Sequence, residues 1–377
     1  MTRKRFRFYL VNVYDVGTAA QDLWADALRG IDTVVFRAVL AGCGGMARGW
    51  LRALTEAPDL KGRVEIVGLV DLDRGAAEKL RAEFALDRAM TGTDLEQVLT
   101  ATKPDLLFDV VVPSARRDVV LTGLRHGCHV LTEKPMAASL DDARALVAEA
   151  GSAKRVHAVV QNRRFIAGVR RIRQTIADGL LGDLTALHAD FFIGAHFGGF
   201  REQMDHPLLL DMSIHTLDAA RFMAGVDPLA VYCLETNPRG SWYSNGAAAN
   251  AIFEFSGDVV FTYRGSWVAE GGTTSWESAW RIIGTAGTLL WDGADKFELK
   301  QIADNSGFLR PLQDAAVPPP PHPSQIHGHA SVIAEFLDAV ETGRPPETAG
   351  SDNIKSLAMV FAAIESARTR QRVIITA

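Results

Sequence analysis

The segment Leu40-Ala41-Gly42-Cys43-Gly44-Gly45-Met46-Ala47-Arg48-Gly49-Trp50, followed 24 residues beyond Ala47 by Asp71, most constrains how this chain folds. The run before it, Thr33 to Leu40, is apolar and β-branched and reads as a buried parallel strand. A Gly-x-Gly-x-x-Ala turn follows, and Met46 onward reads as a helix. A second apolar run, Val64 to Val70, ends on the acid. Strand, glycine turn, helix, strand and carboxylate form the context that separates a dinucleotide site from a chance Gly-x-Gly. Gly42 permits the tight turn, Gly44 lets backbone approach a pyrophosphate, and Ala47 lets helix pack on strand. The helix start offers free N–H groups and a positive dipole end to phosphate. Asp71 is placed to accept from the adenosine ribose hydroxyls and to repel a 2′-phosphate. NAD is therefore favoured over NADP, with Arg74, three residues on, softening the preference.

From Val34 to His157 strands and helices alternate. Leu106 to Val112 is a further buried strand ending at Pro113-Ser114; Arg116 to His126 is a helix closed by Gly127; His129 to Thr132 runs into Glu133-Lys134-Pro135. Ser139 caps a helix over 139–150, and Val156 to Val160 closes this part. These βαβ units predict a doubly wound parallel sheet over residues 34–157. From residue 158 to 377 the texture changes to a mostly antiparallel open sheet in an α/β domain. Its strands are expected at Leu184–Phe192, Leu229–Thr236, Ala247–Phe255, Val259–Trp267, Ser278–Ile283 and Thr288–Trp291. Helices are expected at Gly168–Gly179, Leu209–Met223, Ala330–Thr342 and Asp352–Thr369, with a stiff proline connector at Pro318-Pro319-Pro320-Pro321. Residues 1–33 read as an extension: a short helix over Thr18–Gly30 carrying Leu23, Trp24 and Leu28 on one face, in a poorly ordered lead-in or an arm packing on a neighbouring subunit.

A length of 377 residues, 47% of them hydrophobic, supports two cores. A net charge of −5 points away from nucleic acid and anionic membrane, and no apolar run approaches the roughly 20 residues that span a bilayer. The basic start, Arg3 to Arg7, lacks the long apolar stretch of a signal peptide. Three scattered cysteines, Cys43, Cys128 and Cys233, fit a reducing cytoplasm.

Two elements carry chemistry. Lys134 sits where a parallel strand ends, on the rim where α/β sheets bind ligands. In Asp211-Met212-Ser213-Ile214-His215-Thr216-Leu217-Asp218, Asp211 and His215 share a helix face, and Asp218 lies one further turn on. A carboxylate beside an imidazole orients the ring and raises its basicity, as a general base requires. Polar and aromatic residues at His188, His196, Phe197, Arg201, His206, Trp242, Tyr243, Trp267 and Trp276 offer hydroxyl contacts or flat faces for a sugar, with core packing the simpler reading for each aromatic. His206, five residues before Asp211, is the strongest of these. His322, His327 and His329 lie in or beside a proline-rich loop with no completing ligand nearby, and read as solvent-facing histidines rather than a metal site.

Gly42-x-Gly44-x-x-Ala47, Glu133-Lys134-Pro135, Asp211-x-x-x-His215-x-x-Asp218, Phe336-Leu337-Asp338-Ala339-Val340-Glu341-Thr342-Gly343-Arg344-Pro345-Pro346 and Ile364-Glu365-Ser366-Ala367-Arg368, in this order, resemble the Gfo/Idh/MocA oxidoreductases over residues 34–377. The resemblance implies a Rossmann domain, a second domain whose open sheet supports a homodimer or homotetramer, and NAD(P)-dependent chemistry on a secondary alcohol of a sugar, cyclitol or related polyol. It implies that Lys134 contacts the reacting hydroxyl, with Asp211 and His215 as substrate and acid/base pair. His206, Lys134, Asp211 and His215 form the expected substrate set. Gly42, Gly44, Gly45, Met46, Ala47, Asp71, Arg74, Pro113, Ser114, Glu133, Lys134, Arg163 and Arg164 form the expected cofactor set. The family pattern Thr-Pro-Asn-x-x-His stands here as Val112-Pro113-Ser114-Ala115-Arg116-Arg117, and Ser213 replaces a usual glycine. Two other activities fit the same residues: a NAD-dependent glycoside hydrolase and a non-catalytic NAD-binding sensor.

Overall fold

The computed structural model describes residues 34–377; the expected extension over 1–33 lies outside the described residues. The first sheet has six parallel strands: β1 (Phe36–Ala41), β2 (Val64–Val70), β3 (Met90–Gly92), β4 (Leu106–Asp109), β5 (His129–Thr132) and β6 (His157–Val159). Their order is β3-β2-β1-β4-β5-β6, the doubly wound arrangement of a dinucleotide fold. The chain reverses direction across the sheet between β1 and β4, and that switch point opens a crevice at the strands' C-terminal ends. Helices α1 (Gly45–Glu56), α2 (Arg74–Glu83), α3 (Leu95–Thr102), α4 (Pro113–Arg125) and α5 (Leu140–Ala153) connect the strands. Ser139 caps α5 by accepting from the Asp142 N–H at 3.1 Å, as its position before the apolar run dictates.

A 3₁₀ turn (Asn162–Phe165) and helix α6 (Ala167–Ala177) lead into the second sheet. Its nine strands are β7 (Leu184–Phe192), β8 (Pro228–Thr236), β9 (Ala248–Phe255), β10 (Val259–Ser266), β11 (Ala279–Gly284), β12 (Gly287–Trp291), β13 (Phe297–Ile302), β14 (Leu312–Ala315) and β15 (Val373–Ile374). They run β14-β13-β12-β11-β7-β10-β9-β8-β15, antiparallel except for the β7/β10 pair. The six expected strands are all present; β13, β14 and β15 extend the sheet beyond them. Between β7 and β8 come a four-residue helix α7 (Phe200–Gln203), a π-helical turn (Leu208–Ser213) and α8 (Ile214–Ala224). The last helices are α9 (His329–Thr342) and α10 (Gly350–Thr369).

Alternation sorts the second sheet's two faces. Phe253, Phe261, Tyr263, Trp280 and Ile282 point inward and join one core with α6, α8 and α10. Tyr232, Leu234, Ile252 and Val260 point outward and are exposed. Helix α9 behaves differently from the expected partition at residue 158. Val332, Ile333, Phe336 and Leu337 pack with Phe36, Trp50 and Leu51. The chain thus returns from the second domain to the first sheet and lays a helix beside α1. No helix among the described residues is long and apolar enough to cross a membrane.

Candidate active site

Gly42 has φ +93°, and a Cβ there would lie 2.7 Å from the Val110 backbone. Only glycine fits, because β1 and the strand-end after β4 nearly touch at the switch point. Gly44 caps α1 without any side-chain hydrogen bond, and a Cβ on Gly44 or Gly45 would meet nothing within 4 Å. The start of α1 therefore has no side-chain cap and has room beside its two glycines, as an anion site requires. Ala47 is fully buried and Met46 is half-exposed at the same rim. Asp71 follows β2 and accepts from the Cys43 N–H at 2.7 Å and the Asp73 N–H at 2.9 Å, which fixes its carboxylate beside the glycine turn. Arg74 is turned away, onto Glu78 at 3.0 Å. These residues fit a dinucleotide. Two apolar side chains that sequence reasoning passed over complete the rim: Leu72, 92% exposed, beside Asp71, and Val112, exposed just before Pro113 and Ser114 at the start of α4. An aliphatic residue directly after the strand-end acid, or directly before the Pro113 helix start, was the signal available in the sequence.

The strand-end after β5 is braced from below. Arg116 on α4 is buried; its Nε donates to Asp109 Oδ2 at 2.8 Å and its Nη2 to the Val111 carbonyl at 2.6 Å. Its Nη1 donates to the Pro135 carbonyl, and Thr132 Oγ1 donates to Asp109. A buried ion pair thus ties β4, α4 and the Lys134-Pro135 loop together, the peptide between those two residues being cis. Glu133 points inward as well. Its Oε1 accepts from Trp50 Nε1 at 2.8 Å and faces His329 Nε2 at 3.1 Å. Burial alone would raise the Glu133 pKa, but His329, Trp50 and Lys134 outweigh it and hold the carboxyl below its ordinary value. Two expectations change here. His329, expected near a helix start and facing solvent, is the first residue of α9, but its ring faces Glu133 rather than solvent alone. Glu133 anchors the loop from behind, with its carboxylate turned into protein.

Lys134 reaches across to the second domain. Its ammonium donates to Asp211 Oδ1 at 3.0 Å and to the Asp211 carbonyl at 2.8 Å. Arg201 Nε on α7 donates to the other carboxylate oxygen at 2.9 Å. Burial pushes the Asp211 pKa up, yet Lys134 and Arg201 together draw it below the usual carboxylate range. The local backbone explains this placement. The expected continuous helix over Leu209–Met223 is instead a π-helical turn followed by α8, so the extra residue per turn breaks the simple i, i+4 alignment of Asp211 with His215. No hydrogen bond joins the two, and His215 Nδ1 is buried without a partner. Asp211 therefore orients the ammonium rather than the ring. Burial, then the charges of Lys134, Arg163 and His329, drive the His215 pKa well below its ordinary value and keep the imidazole neutral.

Arg163 bonds Glu277 and lines a narrow crevice with Met212, His215 and Trp276. Its neighbour Arg164 turns the other way. Nε and Nη2 clasp both oxygens of Asp218 at 2.7 Å, Nη1 donates to the Glu347 carbonyl at 2.8 Å, and Nη2 also reaches Asp352 at 3.2 Å. Asp218 further accepts from Ser356 Oγ at 2.6 Å. Arg164 and Asp218 thus form a closed, buried ion pair inside the second domain, with the Arg164 guanidinium turned onto Asp218, Asp352 and the Glu347 carbonyl. His206 sits against Glu235 on β8 at 2.5 Å rather than against Lys134 or Asp211. His188 lies on the outer sheet face, paired with Thr262. Arg117 bonds Asp142 at 3.1 Å. The aromatic residues form one cluster: Phe197 packs edge-on to Trp267 at 5.3 Å and near Trp276 at 6.3 Å, Tyr243 stacks on Trp267, and His196 stacks on Trp242. Trp267 and Tyr243 are buried, while Phe197 and Trp276 keep exposed faces.

The family model described as "Oxidoreductase family, NAD-binding Rossmann fold" matches residues 36–161, and the GFO/IDH/MocA C-terminal domain matches residues 169–290. The chain is 26% identical to 1,5-anhydro-D-fructose reductase of Ensifer adhaerens, over 88% of this chain and 96% of that one. It is 27% identical to D-apiose dehydrogenase of Paraburkholderia graminis, over 88% of each. Among solved structures, an oxidoreductase from Agrobacterium radiobacter in complex with NAD+, L-tartaric acid and magnesium superposes with a TM-score of 0.78, at 22% identity, over 90% of this chain and 98% of that one. Levoglucosan dehydrogenase in complex with NADH and levoglucosan superposes with a TM-score of 0.75, at 16% identity, over 91% of this chain and all of that one. With the strand order, the glycine turn and the Glu133-Lys134-Pro135 loop, these matches show that the chain belongs to the Gfo/Idh/MocA oxidoreductases and that its first domain is an NAD-binding Rossmann domain.

Proposed function

We propose that this protein transfers a hydride between NAD and a secondary hydroxyl or ketone of a sugar, glycoside or cyclitol. One observation supports the reading: an ammonium from the Rossmann rim, steadied by Asp211, approaches the α8 imidazole closely enough for its charge to help depress the His215 pKa. A lysine ammonium has three donors, and Asp211 takes two, leaving one for a substrate oxygen. Lys134 then stabilises the charge that develops on that oxygen. His215 takes the hydroxyl proton at Nε2, the ring nitrogen not sealed into the core. Its neutral state lets it accept a proton at neutral pH, and the cations around it help it release that proton to water. Bound NAD supplies the hydride acceptor, so an alcohol becomes a ketone as NAD+ becomes NADH and one proton leaves.

Asp71 and the outward turn of Arg74 favour NAD over NADP. Leu229, Tyr232, Leu234, Ile252 and Val260 give the outer face of the second sheet an exposed apolar surface around a groove of about 790 Å³, which supports a homo-oligomer through that face. Cys43, Cys128 and Cys233 are buried and unpaired, which favours a reducing compartment. The test is a panel of sugars, glycosides and cyclitols with NAD and NADP, followed as absorbance of the reduced nicotinamide. Turnover that disappears in Lys134→Met and in His215→Ala is expected. Near-wild-type turnover in both variants overturns the assignment.

A further inference from the structure

Arg201 carries more equipment than orienting Asp211 requires. Its Cζ lies 5.2 Å from the Phe197 ring centroid and 4.9 Å from that of Phe200, so aromatic rings hold the guanidinium plane. Nε is committed to Asp211. The two terminal amino groups have no acceptor among the described residues, and the side chain remains partly exposed.

The segment that presents it is built, not loose. Gly198 and Gly199 both take positive φ and turn the chain sharply into α7. Glu202 closes that turn by accepting from the Gly198 N–H at 2.9 Å. Its carbonyl accepts from the Ser244 N–H at 2.8 Å, Ser244 Oγ donates to Gln203, and Asn245 donates to the Met204 carbonyl at 2.9 Å. The glycine turn before α7 and the loop between β8 and β9 therefore hold α7 in place.

We infer that Arg201 is a specificity-determining residue that clasps a carboxylate on the substrate, so that the preferred substrate is a sugar acid rather than a neutral sugar. Three physical points lead there. A guanidinium with one edge fixed and the other open presents a fork that matches a carboxylate in two parallel bonds. The rings on Phe197 and Phe200 pre-organise that fork, so little side-chain entropy is lost on binding. Lys134, Arg201 and Asp211 together carry one net positive charge, and His215 adds none because it is neutral. A neutral hydroxyl would satisfy those donors singly, without balancing that charge. Arg201 and Lys134 are separated by one carboxylate, that of Asp211. A substrate carboxylate on Arg201 therefore sits within a sugar's length of a hydroxyl on Lys134; Phe197, against Arg201, keeps an exposed face and contacts Trp276, which lines the crevice with His215.

The inference rests on the proposed oxidoreductase reading for the identity of the site, and the experiment separates the two. The full-length protein with NAD is given D-glucuronate and D-galacturonate, each against its uronamide, which keeps the shape and removes the charge. A ratio of kcat/KM of about 10 to 100 in favour of the acid is expected, the range of a charged bidentate contact. Arg201→Met lowers turnover of both members through Asp211, but it should collapse the acid-to-amide ratio to near one, with Arg201→Lys between. Binding is measured in parallel by calorimetry with NADH present. Should no compound turn over while the acids bind through Arg201, the hydride-transfer reading falls and the carboxylate site stands. Turnover of the amides equal to that of the acids, or an unchanged ratio in Arg201→Met, overturns the carboxylate site and leaves hydride transfer intact. Absence of both turnover and acid-selective binding overturns both.

Discussion

Asp211 and Asp218 stand seven residues apart in one stretch of chain and behave in opposite ways. Asp218 is fully buried and closed: Arg164 clasps both oxygens, and Ser356 donates to it from α10. Asp211 keeps about a fifth of its side chain in solvent and holds two cations that each retain free donors. A satisfied ion pair has nothing left to offer a ligand; an incompletely satisfied one at a crevice does. The contrast teaches that the spare donor, more than the charge, marks a site.

The comparison breaks most visibly under substitution of the closed pair. Asp218→Asn strips the buried Arg164 guanidinium of the carboxylate that clasps it, leaving only the longer contact to the partly exposed Asp352. Losing one partner of a buried pair costs about 3–5 kcal/mol. Denaturant unfolding should show that loss, with Arg164→Met comparable. If Asp218→Asn unfolds within 1 kcal/mol of wild type, the closed reading of this pair is wrong.

Histidines sharpen the same contrast. His157 on β6 is buried with neither ring nitrogen bonded, and burial, with the Arg116 charge, pushes its pKa down to about 4. The unfolded chain binds a proton near pH 6.5 that the folded chain refuses, so stability is full above pH 6.5 and falls as pH drops toward 4. A shift of that size corresponds to about 3 kcal/mol at the acid end. His215 contributes to the same slope, since its pKa is also depressed. Urea unfolding at pH 7, 6 and 5 reads the slope, which should become shallower in His157→Leu. The catalytic consequence has the same sign: turnover should stay flat as pH falls through 6.5, because the base remains unprotonated there. An acidic limb centred at 6.5 contradicts the buried placement of His215.

Asp211→Asn tests the open half. The variant keeps the volume and removes the charge that steadies Lys134 and Arg201. Stability should fall by less than in Asp218→Asn, since Lys134, Asp211 and Arg201 all keep some contact with water and the amide oxygen still accepts a hydrogen bond. Turnover should fall about 100-fold, the scale of misplacing a catalytic group by an ångström. A stability loss equal to that of Asp218→Asn would erase the distinction between the two.

Sequence reading reached the parts of this site that depend on neighbours in the chain. Gly42 and Asp71 were legible because a tight turn and a strand-end acid lie within one βαβ unit. The strands of the second sheet were legible through alternation. Tertiary pairings were not. Arg164 meets partners 54, 183 and 188 residues away. Glu133 meets Trp50 and His329 across 83 and 196 residues. Nothing local distinguishes Arg163 from Arg164, yet a 3₁₀ turn sends one toward the crevice and the other into the core. The π-helical turn is similarly silent in the sequence: a helical period predicted the right residues on the wrong face.

The smallest expected effect comes from a third pair with the fork geometry of the closed one. On the outer sheet face, Arg264 on β10 donates through Nε and Nη2 to the two oxygens of Asp190 on β7, Nε at 2.6 Å. The geometry matches Arg164 with Asp218, but the Arg264 side chain is 61% exposed. Water solvates both charges when they part, so Arg264→Ala should cost less than about 1 kcal/mol in dilute protein. Arg264 also lines the groove on the face proposed to pack against another copy. Covering that face would remove the water and move the pair toward the closed regime. The cost would then grow with protein concentration, because only the assembled form buries the pair. Melting wild type and Arg264→Ala over a hundredfold range of concentration reads this directly. A small, concentration-independent difference shows that the pair stays in water and that the copies do not meet on this face.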